Sequence, residues 1–249
     1  VKAVLQLAGD LAEHLAGTQA VRDQGAWLVQ RAEQARVLAS KGVLAKAAED
    51  VLACHRTREQ LLPLVDRYAQ LKRQRDLLDF GDVVALAARL AQGAPGVAET
   101  ERASFPVVLL DEYQDTGSAQ EVLLSSLFKA GHAVTAVGDP CQSIYGWRGA
   151  SAGTLRRFPV SFGTGAPART LSTTYRSGGR ILQLANALSE PLRVDAGGVP
   201  VPILRPAPGR EQDGEVRCAL LVDVDAEASW VAGQVVAALG ALPLRPGQG

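Results

Sequence analysis

Methionine is absent from this 249-residue sequence, which begins with valine. A complete natural chain begins with methionine unless it is processed, so we expect this chain to be a piece of a longer protein. Excess charge of either sign is also absent, since 26 Lys and Arg residues balance 26 Asp and Glu residues. This balance excludes a chain-wide basic field, and any site for a polyanion must therefore be local.

Cysteine and long apolar runs are both scarce. The three cysteines are Cys54, Cys141 and Cys218, which are far apart and form no Cys-x-x-Cys pair, and the three histidines have no metal-ligand spacing. This pattern excludes a disulfide framework and a zinc knuckle, and it predicts a reducing, cytoplasmic setting. The apolar runs are far shorter than the roughly 18 residues of a membrane span, and no signal segment opens the chain, so we expect no membrane partner.

The N-terminal third of the chain has the composition of helices. Residues 1–92 are rich in Ala, Leu, Gln, Glu and Arg, with Pro63 as the only proline. The clearest apolar stripe has helical spacing, at Leu61, Leu64, Val65 and Tyr68. The same region carries several basic residues, namely Arg56, Arg58, Arg67, Lys72, Arg73 and Arg75. Taken alone they favour a solvated helix face over a phosphate-binding face.

Beyond Gly93 the pattern changes to alternating strands and helices. We predict buried strands at 107–110 and 133–137, a third strand at 169–171 and a last strand at 215–222. We predict helices at 119–128, 178–188 and 226–239, with 190–214 as a connection. Strand, helix and strand at this spacing indicate an α/β fold with a parallel sheet.

Two acidic residues, Asp111 and Glu112, follow the first predicted strand. Ligands of open α/β sheets bind at the carboxyl ends of strands. An aspartate there is suited to hold Mg²⁺, and a neighbouring glutamate could deprotonate a water for attack on a γ-phosphate. On their own, however, two such acids more often cap the next helix.

Three longer blocks decide between these interpretations. They are DEYQDT at 111–116, VGDPCQSIYGWRGA at 137–150 and LSTTYRS at 171–177. In this order and spacing they resemble motifs II, III and IV of the UvrD/Rep-type superfamily 1 DNA helicases. Residues 68–83 are similar to the helix that re-enters the first motor domain of that family, and residues 226–232 to a helix of its second motor domain. The resemblance covers residues 55–240.

The resemblance implies a RecA-like motor of the P-loop NTPase class, incomplete in this chain. We expect three segments. Residues 1–78 would belong to an inserted all-helical domain, 79–170 to the first RecA-like motor domain, and 171–249 to the start of the second. ATP and Mg²⁺ would be the cofactors, and single-stranded DNA and duplex junctions the partners.

The resemblance also assigns the residues of a nucleotide site. Asp111 would hold Mg²⁺ and Glu112 would be the catalytic base. Gln114 would link the nucleotide and DNA sites, and Gln142 would sense the γ-phosphate. The last block supplies an adenine-stacking tyrosine and an arginine finger, at Tyr175 and Arg176.

The middle block also contains the predicted DNA contact. Tyr145 and Trp147 are separated by one glycine, and Arg148 follows them. Aromatic rings beside a cation form a stacking surface for unpaired bases. Since aromatic residues make up only 5% of the chain, this cluster favours binding over core packing.

The sequence departs from the family pattern in several places. Thr174 stands where the family usually has Asn, and Gly81 where it usually has Asp. No Gly-x-x-x-x-Gly-Lys loop and none of the late family motifs occur, so we expect the isolated chain to be nearly inactive as an ATPase.

Two alternatives stay open at this point. One is a non-catalytic DNA-binding or assembly subunit. Retention of Asp111, Glu112, Gln142 and Arg176 together argues against it, because a dead motor has no use for all four. The other is the helicase portion of a helicase-nuclease, on which the sequence is silent.

Overall fold

A computed structural model describes residues 1–38, 43–129, 131–146, 150, 153–163, 165, 168–194 and 199–240. The chain divides into two compact units. The first comprises Val1–Leu171 with Ser189–Pro202, and the second comprises Ser172–Leu188 with Ile203–Gly249. Over the part of the chain described, no helix is both long and apolar enough to cross a membrane.

The first unit begins with five helices. They are α1 (Lys2–Glu13), α2 (Thr18–Leu38), α3 (Val43–Gln74), α4 (Phe80–Gly93) and α5 (Pro95–Ser104). Helical structure predicted for residues 1–92 is therefore confirmed over the described residues. Helix α3 is long because its sequence is rich in strong helix formers, and Pro63 lies inside it without ending it.

The buried face of α3 differs from the predicted stripe. Leu62 is 1% exposed and Val65 is 5% exposed, and both pack with Leu7 of α1. Leu64 is 54% exposed, so its assignment to the apolar face was wrong. The actual faces are set by where α1 and α2 contact the helix, and Leu52, nearer its start, packs with Ala32 of α2.

A polar cluster joins the end of α3 to the start of α4. The Lys72 ammonium donates to Asp79 at 2.7 Å and to Asp82 at 2.5 Å, and the Tyr68 hydroxyl donates to Asp79 at 3.1 Å. Asp79 and Asp82 also cap the first turn of α4 reciprocally. Burial opposes the charged form of Asp79, but the hydrogen bonds from Lys72 and the Asp82 backbone hold its pKa below the usual value. Lys72 is thus occupied inside the protein and is not part of a solvated basic face.

A small parallel sheet follows. Strand β1 (Val107–Leu110) pairs with β2 (Ala133–Ala136) in parallel, from Val107 opposite Ala133 to Leu110 opposite Ala136, and α6 (Ser118–Phe128) connects them. The predicted strand, helix and strand are confirmed. After β2 the first unit continues with α7 (Gly153–Ser161) and later contributes α9 (Glu190–Val194).

The two strands are covered on one face only, so their predicted burial was wrong. Val108 and Leu110 pack on a core formed by Ala91, Ala98, Tyr113, Leu127, Phe128 and Phe162. Val107 and Leu109, on the other face, are 63% and 75% exposed. The continuous apolar run indicated two covered faces, but among the described residues helices lie against one face of the sheet.

The second unit contains a shorter parallel pair. Strand β3 (Thr173–Thr174) pairs with β4 (Arg205–Pro206), and the helices are α8 (Gly179–Leu188) and α10 (Val224–Gly240). Both helices were predicted correctly. The strand predicted at 169–171 was wrong. The observed strand begins at Thr173, two residues after the predicted one ends, and its partner β4 lies in the segment predicted as a connection.

The last predicted strand, at 215–222, was also wrong. These residues form no strand, and Leu220 and Val222 are 100% and 93% exposed. Their apolar side chains match the sequence pattern of a strand. In the structure all eight residues are exposed, and no described strand pairs with them.

The start of α8 packs closely against the segment after β4. The Gly179 N–H donates to the Arg210 carbonyl at 2.9 Å and the Arg180 N–H to the Asp213 carbonyl at 3.1 Å. A Cβ atom at Gly179 would lie 2.0 Å from the Glu211 carbonyl oxygen. Glycine is therefore required there by the approach of another backbone segment.

We expect Gly179→Ala to destabilise the chain by roughly 1–3 kcal/mol, because the methyl group would displace backbone rather than a flexible side chain. The measurement is urea unfolding followed by circular dichroism. Gly233→Ala is the matched control, since a Cβ at this position of α10 meets nothing within 4 Å. That control should gain up to about 1 kcal/mol from helix propensity. Equal stabilities of the two variants would contradict the close packing.

Candidate functional site

The turn after β1 determines how the two acids are presented. Glu112 adopts a left-handed conformation, with φ 50° and ψ 38°, and its N–H donates to Asp111 Oδ1 at 2.9 Å. One turn of 3₁₀ helix follows at Tyr113–Asp115. The Tyr113 N–H donates to the Val137 carbonyl at 2.9 Å, and the Val137 N–H to the Leu110 carbonyl at 2.8 Å. The acids are therefore fixed to the end of β2 as well as to β1.

Tyr113 lies in the core directly behind the exposed acids. It is 0% exposed, and its ring meets Phe158 and Phe162 edge-on, at centroid distances of 5.4 and 6.2 Å. Burial and the neighbouring Glu121 carboxylate raise the pKa of the Tyr113 hydroxyl. Within the described residues this hydroxyl has no hydrogen-bond partner. Packing of the ring, rather than its polar end, holds the turn in place.

Gln114 is the centre of a buried polar network. Its side-chain Nε2 donates to Glu112 Oε2 at 2.7 Å, and its Oε1 accepts the Asp139 N–H at 3.0 Å. Its backbone carbonyl accepts the Ser143 hydroxyl at 3.3 Å. A Cβ on Gly138 would lie 2.5 Å from Gln114 Oε1, so that glycine makes room for the amide. Gln114 thus joins the end of β1 to the segment after β2.

Asp139 carries this network to the next predicted site residue. Its Oδ2 accepts Gln142 Nε2 at 2.9 Å, and its Oδ1 accepts the Cys141 N–H at 2.9 Å. Burial and the negative charge of Asp139 raise the pKa of the Cys141 thiol. Sequence analysis did not single out Asp139. The available signal was an Asp directly before Pro140, an arrangement that favours a side-chain-capped turn.

One cleft gathers four of the nine predicted site residues. It has a volume of about 410 Å³ and is lined by Glu112, Gln114, Asp115, Gln142, Ile144 and Tyr145. Four of these six were predicted, and Asp115 and Ile144 were missed. One carboxylate oxygen of Asp115 is buried and has no hydrogen-bond partner in the described part of the chain. The predicted base, the phosphate sensor and one of the DNA-stacking residues therefore share a single cleft.

The remaining predicted residues lie elsewhere. Trp147 and Arg148 are outside the described residues. Tyr175 and Arg176 belong to the second unit, where both side chains are exposed and the Arg176 N–H donates to Thr174 Oγ1 at 3.3 Å.

Asp111 is the residue suited to hold a metal ion. Its side chain is exposed at the carboxyl end of β1. No group of three or more His, Cys, Asp or Glu side chains among the described residues forms a metal cage. A single carboxylate fits Mg²⁺, which keeps several waters and binds through one or two carboxylates together with substrate phosphates.

We expect Gln114→Glu to make stability depend on pH. A protonated carboxyl at this position can still donate to Glu112 and accept from the Asp139 N–H. An ionised one would face the Glu112 carboxylate in a buried place, so its folded-state pKa is raised. Stability should therefore match the parent near pH 4 and fall by about 1–3 kcal/mol as the pH rises above the ~4.3 of an ordinary glutamate.

The measurement is urea unfolding at pH 4, 6 and 8. Gln114→Leu is the matched control, because it removes both hydrogen bonds and adds no titrating group. Its loss of stability should be the same at each pH. A Gln114→Glu variant as stable at pH 8 as at pH 4, relative to the parent, would show that the amide is not confined beside Glu112.

Known proteins resemble the part of the chain that contains this cleft. The family model of the UvrD/REP helicase N-terminal domain matches residues 9–163, more than half of the chain. ATP-dependent DNA helicase PcrA of Leuconostoc citreum is 38% identical over 120 residues, 48% of this chain and 16% of the relative. DNA helicase II of Escherichia coli (strain K12) is 40% identical over 114 residues, 46% of this chain and 16% of the relative.

A third relative is a DNA helicase with a different name, Rep. ATP-dependent DNA helicase Rep of Escherichia coli (strain K12) is 38% identical over 113 residues, which cover 45% of this chain and 17% of the relative. The matched segments thus span about one sixth of the length of these three relatives. The match of the family model over 9–163 shows that the chain belongs to the UvrD/REP helicase N-terminal domain family.

Proposed function

We propose that the chain is part of an ATP-dependent DNA helicase that couples ATP hydrolysis to movement on single-stranded DNA and to duplex unwinding in repair or recombination. The supporting observation is the buried Gln114 network, which links Glu112 to Asp139 and thereby to Gln142. A network of this kind fixes a candidate base relative to a candidate phosphate sensor. The names of the relatives, which are DNA helicases, agree with this proposal.

The chemistry assigned to the acids follows from their settings. Asp111, exposed at the strand end, would hold the Mg²⁺ of a bound nucleotide, which neutralises charge on the phosphates. Glu112 would accept a proton from the attacking water. The hydrogen bond from Gln114 occupies only Oε2 of Glu112 and leaves Oε1 for the water. Gln114 would orient the base without contacting the reacting atoms.

In the second unit, Tyr175 and Arg176 are the proposed nucleotide contacts. Tyr175 is 76% exposed, so its ring is accessible for stacking on an adenine. A guanidinium such as that of Arg176 donates in a planar fork and can neutralise charge that develops on the γ-phosphate.

DNA would be bound by Tyr145, Trp147 and Arg148. Tyr145 lines the same cleft as Glu112 and Gln142. A base stacked on Tyr145 would therefore lie close to Gln142, the proposed phosphate sensor, which is three residues earlier in the chain. This proximity is a physical basis for hydrolysis that responds to DNA.

The domain assignment belongs to the same proposal. Residues 1–78 would form part of an inserted helical domain, 79–170 part of a RecA-like motor domain, and 171–249 the start of a second one. Since residues 1–249 contain no Gly-x-x-x-x-Gly-Lys loop, we propose that this chain alone hydrolyses ATP at a negligible rate. Strong DNA-dependent hydrolysis by the 249-residue chain would contradict that statement.

In the full-length protein, Glu112→Gln should lower ATP turnover by about 10²–10⁴-fold, because an amide cannot accept the proton. Nucleotide affinity should be unchanged, since the Gln oxygen can still accept the hydrogen bond from Gln114. Steady-state hydrolysis and equilibrium binding of a fluorescent ATP analogue measure the two quantities. Glu99→Gln, on an exposed position of α5, is the control that should retain full turnover. A normal rate of ATP hydrolysis by Glu112→Gln would show that Glu112 is not the catalytic base.

Trp147→Ala in the full-length protein should weaken binding of a short oligo-dT by about 5–100-fold, the equivalent of one lost stacking contact of ~1–3 kcal/mol. Stimulation of hydrolysis by DNA should fall with it. Fluorescence anisotropy of labelled oligo-dT gives the affinity. Trp27→Ala is the matched control, because Trp27 lies on α2 and is 59% exposed. Equal affinities of the two variants would reject Trp147 as a stacking residue.

A further inference from the structure

The segment Thr174–Gly178 presents two exposed side chains, those of Tyr175 and Arg176, between a strand and a helix. Neither ring nor guanidinium is inserted into the core of the second unit. Side chains of this kind act on a nucleotide only if their backbone is held still, because small displacements of a positioned group reduce turnover strongly. The contacts that hold this backbone come from β4 and the residues after it.

Four of these contacts are main-chain hydrogen bonds, two on each side of Tyr175 and Arg176. The Arg205 N–H donates to the Ser172 carbonyl at 2.7 Å, and the Ala207 N–H donates to the Thr174 carbonyl at 3.0 Å. They fix the chain up to Thr174. On the far side, the N–H groups of Gly179 and Arg180 donate to carbonyls of the 210–213 turn. Tyr175 and Arg176 lie between these two anchors, and a further contact holds the main-chain carbonyl of Tyr175.

That contact is made by Arg210. Its Nη1 donates to the main-chain carbonyl of Tyr175, the residue directly before Arg176. Its Nε donates to Asp213 Oδ2 at 3.0 Å, and this ion pair orients the guanidinium. Because the guanidinium is planar, fixing one edge on Asp213 also fixes the direction of the edge that reaches Tyr175.

The turn that carries Arg210 is itself held in place. The Arg210 N–H donates to the Ala207 carbonyl at 3.1 Å. The Arg210 carbonyl accepts the Gly179 N–H at 2.9 Å and the Asp213 N–H at 3.2 Å. A Cβ at Gly178 would lie 2.4 Å from the Asp213 carbonyl oxygen, so the two backbones are in close contact. Arg210 therefore projects from a turn that cannot shift independently of the start of α8.

We infer that Arg210, oriented by Asp213, is a positioning residue for hydrolysis: it clamps the Tyr175 carbonyl and so sets where Tyr175 and Arg176 meet the nucleotide. This inference rests on the proposed ATPase function. In this role Arg210 acts through the main chain of Tyr175 and not on the nucleotide itself. Its loss would therefore affect the fraction of correctly placed arginine fingers more than it affects DNA binding.

The test uses the full-length protein and compares Arg210→Ala, Arg210→Lys and Arg217→Ala. Arg217 is the matched control, since it is an exposed arginine of the same unit that pairs with Glu215 and Gln234. Arg210→Ala should lower kcat of DNA-stimulated hydrolysis by about tenfold, with KM for DNA unchanged. Arg210→Lys keeps the charge and one of the two contacts, so it should recover about a third of the parental kcat. Arg217→Ala should retain it all.

Hydrogen exchange separates positioning from loss of folding. In Arg210→Ala, amides of residues 174–178 should exchange faster while those of α10 keep the parental rates. If kcat of Arg210→Ala stays within twofold of the parent while Arg176→Ala is inactive, the inference is wrong and the proposed function stands. Equal loss of protection in α10 would also overturn it, because a folding defect would then explain the lower kcat. A parental protein without DNA-stimulated hydrolysis would instead reject the proposed function.

Discussion

The reversal of the backbone at Glu112 is the constraint on which the candidate site depends. The strand before it must end with acids in solvent, and the residues after it must enter the core within one position. A left-handed conformation achieves this change of direction, at a cost of roughly 1–2 kcal/mol for a residue with a side chain. Burial of Tyr113 against Phe158 and Phe162 offsets that cost. The exposure of Glu112 and the burial of Tyr113 are therefore two results of one turn.

Gln114 explains how an exposed carboxylate can be oriented without being buried. A neutral amide has a donating nitrogen and an accepting oxygen, and here each has a partner, Glu112 on one side and the Asp139 N–H on the other. A buried amide with both ends satisfied is stable, whereas a buried charge beside Glu112 would not be. The same residue therefore stabilises the junction of the two strands and sets the direction of the acid. Gly138 belongs to this arrangement because any larger side chain would occupy the place of the amide.

Sequence patterns predicted the elements whose signal is local. The strand, helix and strand from β1 to β2 follow from short apolar runs and helical spacing, and α8 and α10 were found in the same way. Strands β3 and β4 have two residues each, too few to show any periodicity, and their pairing depends on a partner about thirty residues away. The segment 215–222 shows the converse error, since apolar residues alone do not make a strand, and in the described part of the chain this segment pairs with none. In the candidate site, the motifs predicted Glu112 and Gln142, whereas the part that Asp139 plays follows from the hydrogen bonds that connect them.

The two units solve the same physical problem by different means. Each contains a candidate reactive side chain that must remain exposed, Glu112 in the first and Arg176 in the second. In the first unit a buried amide holds the side chain itself, since a carboxylate is a strong acceptor and a single donor can orient it. A guanidinium carries donors only, and a carboxylate that paired with Arg176 would neutralise the charge proposed to act on the γ-phosphate. In the second unit the main chain beside Arg176 is held instead, since the carbonyl of Tyr175 accepts a hydrogen bond from Arg210. The chemistry of the reactive group thus determines whether its support contacts the side chain or the backbone beside it.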